Sequence, residues 1–131
     1  MDEPIRILVV DDDPLTLDAL SDLLSRAGSV RASALPSDAL AYLEQHPVDV
    51  VVSDQVMPEM TGDRFLSLVR QRWPDTERIL VTGFCDLASV VRAVNQGGIC
   101  HSFCKPWDNA EVLQAVTEAG GRARRRRVSA P

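Results

Sequence analysis

No apolar stretch of this chain approaches the roughly 20 residues needed to cross a bilayer, and the N-terminus MDEPIRILVV lacks the basic flank and small-residue cleavage site of a secretory signal. These absences lead to the expectation of a cytoplasmic chain with no membrane contact. Cysteine is scarce and odd in number, at Cys85, Cys100 and Cys104. All three sit in or beside apolar runs, which argues against a disulfide framework. CHSFC offers two thiols and one histidine but no fourth ligand at a recognisable spacing, so buried thiols are expected there rather than a metal site. Repeats and low-complexity segments are missing before the run RARRRR. Positive charge is thin in the body of the chain: the net charge is −5, and without the five arginines of Arg122 to Arg127 the remainder stands at about −10. So acidic a body is a poor nucleic-acid surface, and direct nucleic-acid binding by this domain is not expected. The arginines suit the last turn of a helix, where they oppose the negative end of its dipole.

What is present suits one domain. A chain of 131 residues, 45% hydrophobic and 25% charged, can close a complete core. We read residues 1–121 as that domain and 122–131 as an Arg-rich tail or linker. Apolar bursts IRILVV, SVRASA, VDVVVS, ERILVT and ICHSFC alternate with helical patterns over Leu15–Ala27, Ser37–Gln45, Asp63–Trp73, Leu87–Gln96 and Glu111–Ala119. Asp13 before Pro14 fits an N-cap followed by proline at the first helical position, Gly28 is expected to close the first helix, and Asp108 to cap the last. Near-continuously apolar strands alternating with helices predict an α/β fold with a parallel sheet covered by helices on both faces. Five such units point to the flavodoxin-like, doubly wound five-stranded sheet of order 2-1-3-4-5, with the first and third strands adjacent at the switch point.

That adjacency gathers chemistry at one edge of the sheet. Asp11 and Asp12 end the first strand and Asp54 ends the third, so their carboxylates are expected to converge in one crevice. Converging anions repel, and a hard divalent cation such as magnesium, which takes oxygen ligands, resolves the conflict. Thr82 ends the fourth strand and Lys105 follows the fifth, adding a hydroxyl and an ammonium suited to phosphoryl oxygens. Each residue alone has an ordinary explanation as a cap, a turn residue or a solvated lysine. Their shared position at strand ends makes a phosphoryl-transfer site with Asp54 as nucleophile the better one.

ILVVDDDP, VDVVVSDQVMPEMTG, ILVTGF and CKPW together resemble the motifs of receiver domains in two-component response regulators, and the likeness extends from about Ile5 to the last helix. The resemblance implies that Asp54 is phosphorylated by a histidine kinase or phosphotransfer protein, and that Asp11, Asp12, Asp54 and the Val56 backbone carbonyl hold Mg2+. It further implies Thr82 as the switch hydroxyl, Lys105 as the phosphoryl-binding cation and a cis Lys105-Pro106 bond. Such domains catalyse only their own phosphorylation and dephosphorylation, and act on an output domain, a downstream protein or a second copy of themselves. Val56 and Phe84 lie where the family's side chains govern water access to the phosphoryl group. The chain departs from the pattern at Ser102, where an aromatic switch residue is usual. Two other readings stay open: a phosphohydrolase working through an aspartyl intermediate, for which Asp11 and Asp13 supply a D-x-D spacing, and a receiver-like binding scaffold.

Overall fold

Successive side chains of an extended strand leave on opposite faces. In β1 (Ile5–Val10), Ile7 and Val9 therefore point one way and Leu8 and Val10 the other, and all four are buried. A strand apolar on both faces must be covered on both. Ile7, Val9, Val50, Val52, Ile79 and Val81 form one core with Leu20, Leu23 and Leu24 of α1 (Pro14–Leu24) and Val112, Val116 and Ala119 of α5 (Asn109–Ser129). Leu8, Val10, Val51 and Leu80 form the other, with Ala39 and Leu43 of α2 (Pro36–Gln45) and Phe65, Leu66 and Val69 of α3 (Gly62–Arg72).

The computed structural model describes residues 4–83 and 86–129, and within them the remaining elements are β2 (Gly28–Ser33), β3 (Val50–Ser53), β4 (Glu77–Thr82), α4 (Leu87–Arg92) and β5 (His101–Cys104). The described strands form one sheet of order β2-β1-β3-β4-β5, parallel at every pairing. This is the flavodoxin-like order expected from the sequence.

Some expectations needed correction. α1 ends at Leu24 with Ser25 as its C-cap, and Gly28 instead opens β2. A Cβ on Gly28 would lie 2.1 Å from the Ile5 carbonyl oxygen, so glycine is required there by the approach of two backbones. The thiols are not buried: Cys100 and Cys104 lie exposed at the β5 edge, Cys100 is free and Cys104 is disulfide-bonded. An edge strand has a neighbour on one side only, which leaves its apolar residues less covered than those of β1 or β3. Cys85 lies outside the described residues. α4 runs into a π-helical turn at Ala93–Gly97, whose carbonyls at Asn95 and Gly97 accept from Arg70 and Arg78 at 3.1 and 2.7 Å, and Gly98 then takes the left-handed conformation at φ 59°.

Arg122 to Arg127 continue α5 without a break. Two of them clamp Glu77, with Arg122 at 2.8 Å and Arg126 in a closer contact, while Arg127 pairs with Asp49. Asp49 is fully buried and also accepts the Arg6 N–H at 2.8 Å. Asp108 caps α5 as expected, accepting the Glu111 N–H at 3.0 Å.

Candidate functional site

The sheet ladder continues one residue beyond three of its strands, and those residues are the ones singled out by the sequence. The Asp11 N–H donates to the Ser33 carbonyl at 3.2 Å, the Asp54 N–H to Val10 at 3.0 Å and the Lys105 N–H to Thr82 at 2.9 Å. Backbone rungs thus fix where these side chains begin. The Lys105-Pro106 peptide is cis, as expected. Gly62 closes the loop after Asp54: its N–H donates to the Gln55 carbonyl at 2.8 Å, and a Cβ there would sit 2.1 Å from the Asp54 carbonyl oxygen.

Ligand oxygens of Asp11, Asp12 and Asp54 all lie within 4.8 Å of one another. Asp11 and Asp54 are buried, and Asp12 is exposed at the mouth of the crevice. Lys105, the chain's only lysine, places Nζ 2.9 Å from Asp11 Oδ2 and 3.5 Å from Asp54 Oδ2. One ammonium meets two of the three clustered carboxylates. Burial pushes the Asp11 carboxyl above its ordinary range, and the nearby Asp54 charge adds to this although the Lys105 hydrogen bond works against it. For Lys105, burial alone would lower the value, but the Asp11 hydrogen bond and the Asp54 and Asp11 charges prevail and raise it. An all-oxygen donor set short of positive charge fits a hard divalent cation such as magnesium.

The two oxygens of Asp54 differ. Oδ1 accepts the Gln55 N–H at 2.7 Å, whereas Oδ2 faces Lys105. Thr82 is buried at the end of β4, beside Lys105 through the backbone rung. Val56 turns its side chain to solvent at 59% exposure. Phe84 lies outside the described residues. Ser102 is exposed on β5 opposite Leu80, while its neighbour Phe103 packs against the α1/α5 core and stacks with His101 at 5.7 Å. Ser102 and Phe103 therefore face opposite sides of the sheet. Asp13 keeps out of the cluster: Oδ2 accepts the Thr16 hydroxyl at 2.6 Å, while the Asp13 N–H donates to Asp11 Oδ1 at 2.9 Å.

Sequence reasoning missed the supports of this loop. The Gln55 side chain, buried, binds Asp63 twice, and Asp63 meets Arg92 of α4. Glu59 has a positive φ of 75° and its carboxylate accepts the Ser37 N–H and hydroxyl at 2.9 and 2.8 Å, tying the loop to the first turn of α2. A glutamate in the loop and a serine after Pro36 are the only traces of that tie in the sequence, and a separation of 22 residues follows no local periodicity.

The family described as the response regulator receiver domain matches residues 7–117. The hydrogenase transcriptional regulatory protein HoxA of Cupriavidus necator is 36% identical over 118 residues, which make up 90% of this chain and 24% of that protein. The chain thus spans about a quarter of the length of the curated relatives it matches. Among solved structures, the signal receiver domain of an HD domain-containing protein from Pseudomonas fluorescens superposes with a TM-score of 0.93 at 33% identity, covering 99% of this chain and 96% of that one. A CheY-like receiver domain protein from Methanospirillum hungatei gives 0.88 at 26% identity, covering 95% and 99%. Among the described residues, no helix is long and apolar enough to cross a membrane.

Proposed function

The chain belongs to the response regulator receiver domain family, and on that premise we propose that Asp54 accepts a phosphoryl group from a histidine kinase or phosphotransfer protein in a magnesium-dependent reaction. The carrying observation is the asymmetry of Asp54. Oδ1 is occupied by the Gln55 N–H, which leaves Oδ2 facing Lys105 as the nucleophile. Oδ2 attacks phosphorus, the bond from phosphorus to the donor imidazole breaks, and the imidazole nitrogen keeps the electron pair and takes up a proton. Lys105 places positive charge where the phosphoryl oxygens arrive, and the Thr82 hydroxyl donates to one of them in the product. Asp11, Asp12, Asp54 and the Val56 carbonyl would hold Mg2+, which when bound offsets the charge of carboxylates and phosphoryl oxygens together.

The switch is then read by an output domain, a downstream protein or a second copy, with residues 1–121 as the receiver and the Arg-bearing end of α5 as the path toward an output. HoxA is a transcriptional regulatory protein, and a transcriptional output is one form this takes. Ser102 offers no ring to bury, so Ser102→Tyr is expected to leave the response unchanged and Thr82→Ala to remove it. A phosphohydrolase built on Asp11 and Asp13 is disfavoured because the Asp13 carboxylate is turned onto Thr16. Intact-mass spectrometry with acetyl phosphate tests the proposal. One phosphoryl group per chain, requiring magnesium and absent in Asp54→Ala, is the expected result. Labelling of Asp54→Ala at the wild-type level, or steady turnover of p-nitrophenyl phosphate, would overturn it.

A further inference from the structure

We propose that Gln55 is a positioning residue that couples the state of Asp54 to helix α4 through Asp63 and Arg92. The inference rests on the reading of Asp54 as phosphoacceptor. Gln55 is 3% exposed and uses both its backbone and its side chain. The backbone N–H donates to Asp54 Oδ1 at 2.7 Å; the side-chain Nε2 donates to Asp63 Oδ1 at 2.9 Å, and Oε1 accepts the Asp63 N–H at 2.9 Å. The side-chain amide supplies a donor and an acceptor side by side for this pair of bonds. Asp63, itself 7% exposed at the start of α3, presents its other oxygen to Arg92 Nε at 3.4 Å. Burial alone would raise the Asp63 carboxyl, yet hydrogen bonds from Thr61, Gln55 and Arg92 hold it below its ordinary range, so the link to Arg92 is a charged one.

Phosphorylation changes the first bond in this chain. As a carboxylate oxygen, Oδ1 shares a negative charge; in an acyl phosphate formed at Oδ2 it becomes a neutral carbonyl. Hydrogen bonds to an ionised acceptor are about twice as strong as neutral ones, so the Gln55 N–H loses much of its hold. Gln55 cannot shift without moving the Asp63 carboxylate clamped to its side chain. Arg92 stands at the junction where α4 passes into the π-helical turn Ala93–Gly97. A π-turn and a regular α-turn are two discrete arrangements of one segment, and a carboxylate that holds or releases Arg92 biases the choice between them. This route enters α4 from α3 through side chains. It is separate from any backbone path leading out of Thr82.

Hydrogen-deuterium exchange across residues 87–97, measured before and after acetyl phosphate with magnesium and with the label counted by intact mass in the same samples, tests the coupling. In wild type, exchange there is expected to change on phosphorylation. Gln55→Met and Arg92→Gln are expected to take the label to the wild-type extent while that change falls several-fold. Labelled variants that respond as wild type does, or a labelled wild type with no change in α4, would overturn the coupling and leave the phosphoacceptor reading standing. A wild type that takes no label would overturn the phosphoacceptor reading itself. Loss of label in Gln55→Met would place Gln55 in the phosphorylation step, and Arg92→Gln, on a different helix from the nucleophile's loop, then decides alone.

Discussion

The two edges of the sheet both gather buried carboxylates, but they treat them differently. At the N-terminal edge, Asp49 and Glu77 meet Arg122, Arg126 and Arg127 of α5, three guanidinium groups for two buried acids. At the C-terminal edge, Asp11, Asp12 and Asp54 cluster together, and Lys105 pairs with Asp11 and Asp54. The carboxyl groups respond accordingly. Burial alone would raise Glu77, but the hydrogen bonds of Arg126 and Arg122 carry it below its ordinary range, whereas Asp11 remains above. A satisfied cluster holds α5 to the body of the fold. An under-neutralised one keeps a repulsion that a cation from solution would relieve, and this difference in charge balance distinguishes the two edges.

The largest effect is expected where the scarce charge is removed. Lys105→Ala takes from the crevice the ammonium that pairs with Asp11 and Asp54, and is expected to slow labelling of Asp54 by acetyl phosphate on the order of 10²–10³-fold, the usual loss for one preorganised electrostatic group. Single-turnover labelling followed by intact mass measures it. An undiminished rate would mean that the three carboxylates are neutralised from solution alone.

Stability tests the comparison with opposite signs. Glu77→Ala takes the buried carboxylate from Arg122 and leaves Arg126 only the exposed Asp75 at 3.9 Å, and unpairing a buried ion costs about 3 kcal/mol, less here because the arginine side chains are more than a third exposed. Asp12→Asn at the other edge removes a repelling charge and is expected to leave stability level or slightly raised. Urea unfolding midpoints of the two variants decide it. Magnesium at about 100 times its dissociation constant would add about 2.7 kcal/mol to the wild type, and that increment is expected to vanish in Asp11→Asn.

The pH dependence sharpens the contrast. Glu77 is depressed in the fold, so its contribution is complete above the unfolded value of about 4.3 and is lost as pH falls through its lower folded value. Asp11 is raised, so the folded state gains stability as pH falls through that raised value toward the unfolded value of about 3.9. Lys105 is also raised, and its contribution is complete below about 10.4 and is lost as pH rises through the folded value. Thermal midpoints are therefore expected to fall less steeply on mild acidification in wild type than in Asp11→Asn, while Glu77→Gln loses the final acid-driven drop.

What the sequence disclosed follows the same division. Asp11, Asp54, Thr82 and Lys105 were legible because each interrupts or ends an apolar run, and a parallel sheet carries all such ends to one edge. The ends of β1 and β4 were read to the residue for the same reason. The arginine clasp was not legible, since Arg122 reaches Glu77 across 45 residues and Arg127 reaches Asp49 across 78. No periodicity encodes such a pairing, and a helix-end dipole explained the arginines equally well. The edge strands were read as more apolar than they are, which is why exposed Cys100 and Cys104 were taken for core thiols. Gln55 was hidden for another reason: its eight-residue separation from Asp63 crosses a loop closed only because Gly62 lets two backbones touch.

The smallest expected effect concerns how long the phosphoryl group survives. Val56 stands two residues beyond Asp54 with its side chain 59% exposed at the rim of the site. An apolar group there cannot orient a hydrolytic water by hydrogen bonding. Slow self-dephosphorylation is the expected outcome. Val56→Asn supplies a donor and an acceptor at the same rim without touching the buried carboxylates, so the labelling rate is expected to hold while the phosphoryl half-life shortens a few-fold. Decay of the label after removal of acetyl phosphate, followed by intact mass, gives the half-life. An unchanged value would show that access to the acyl phosphate is governed elsewhere in the loop, and would restrict the functional imbalance of this edge to the charges of Asp11, Asp12, Asp54 and Lys105.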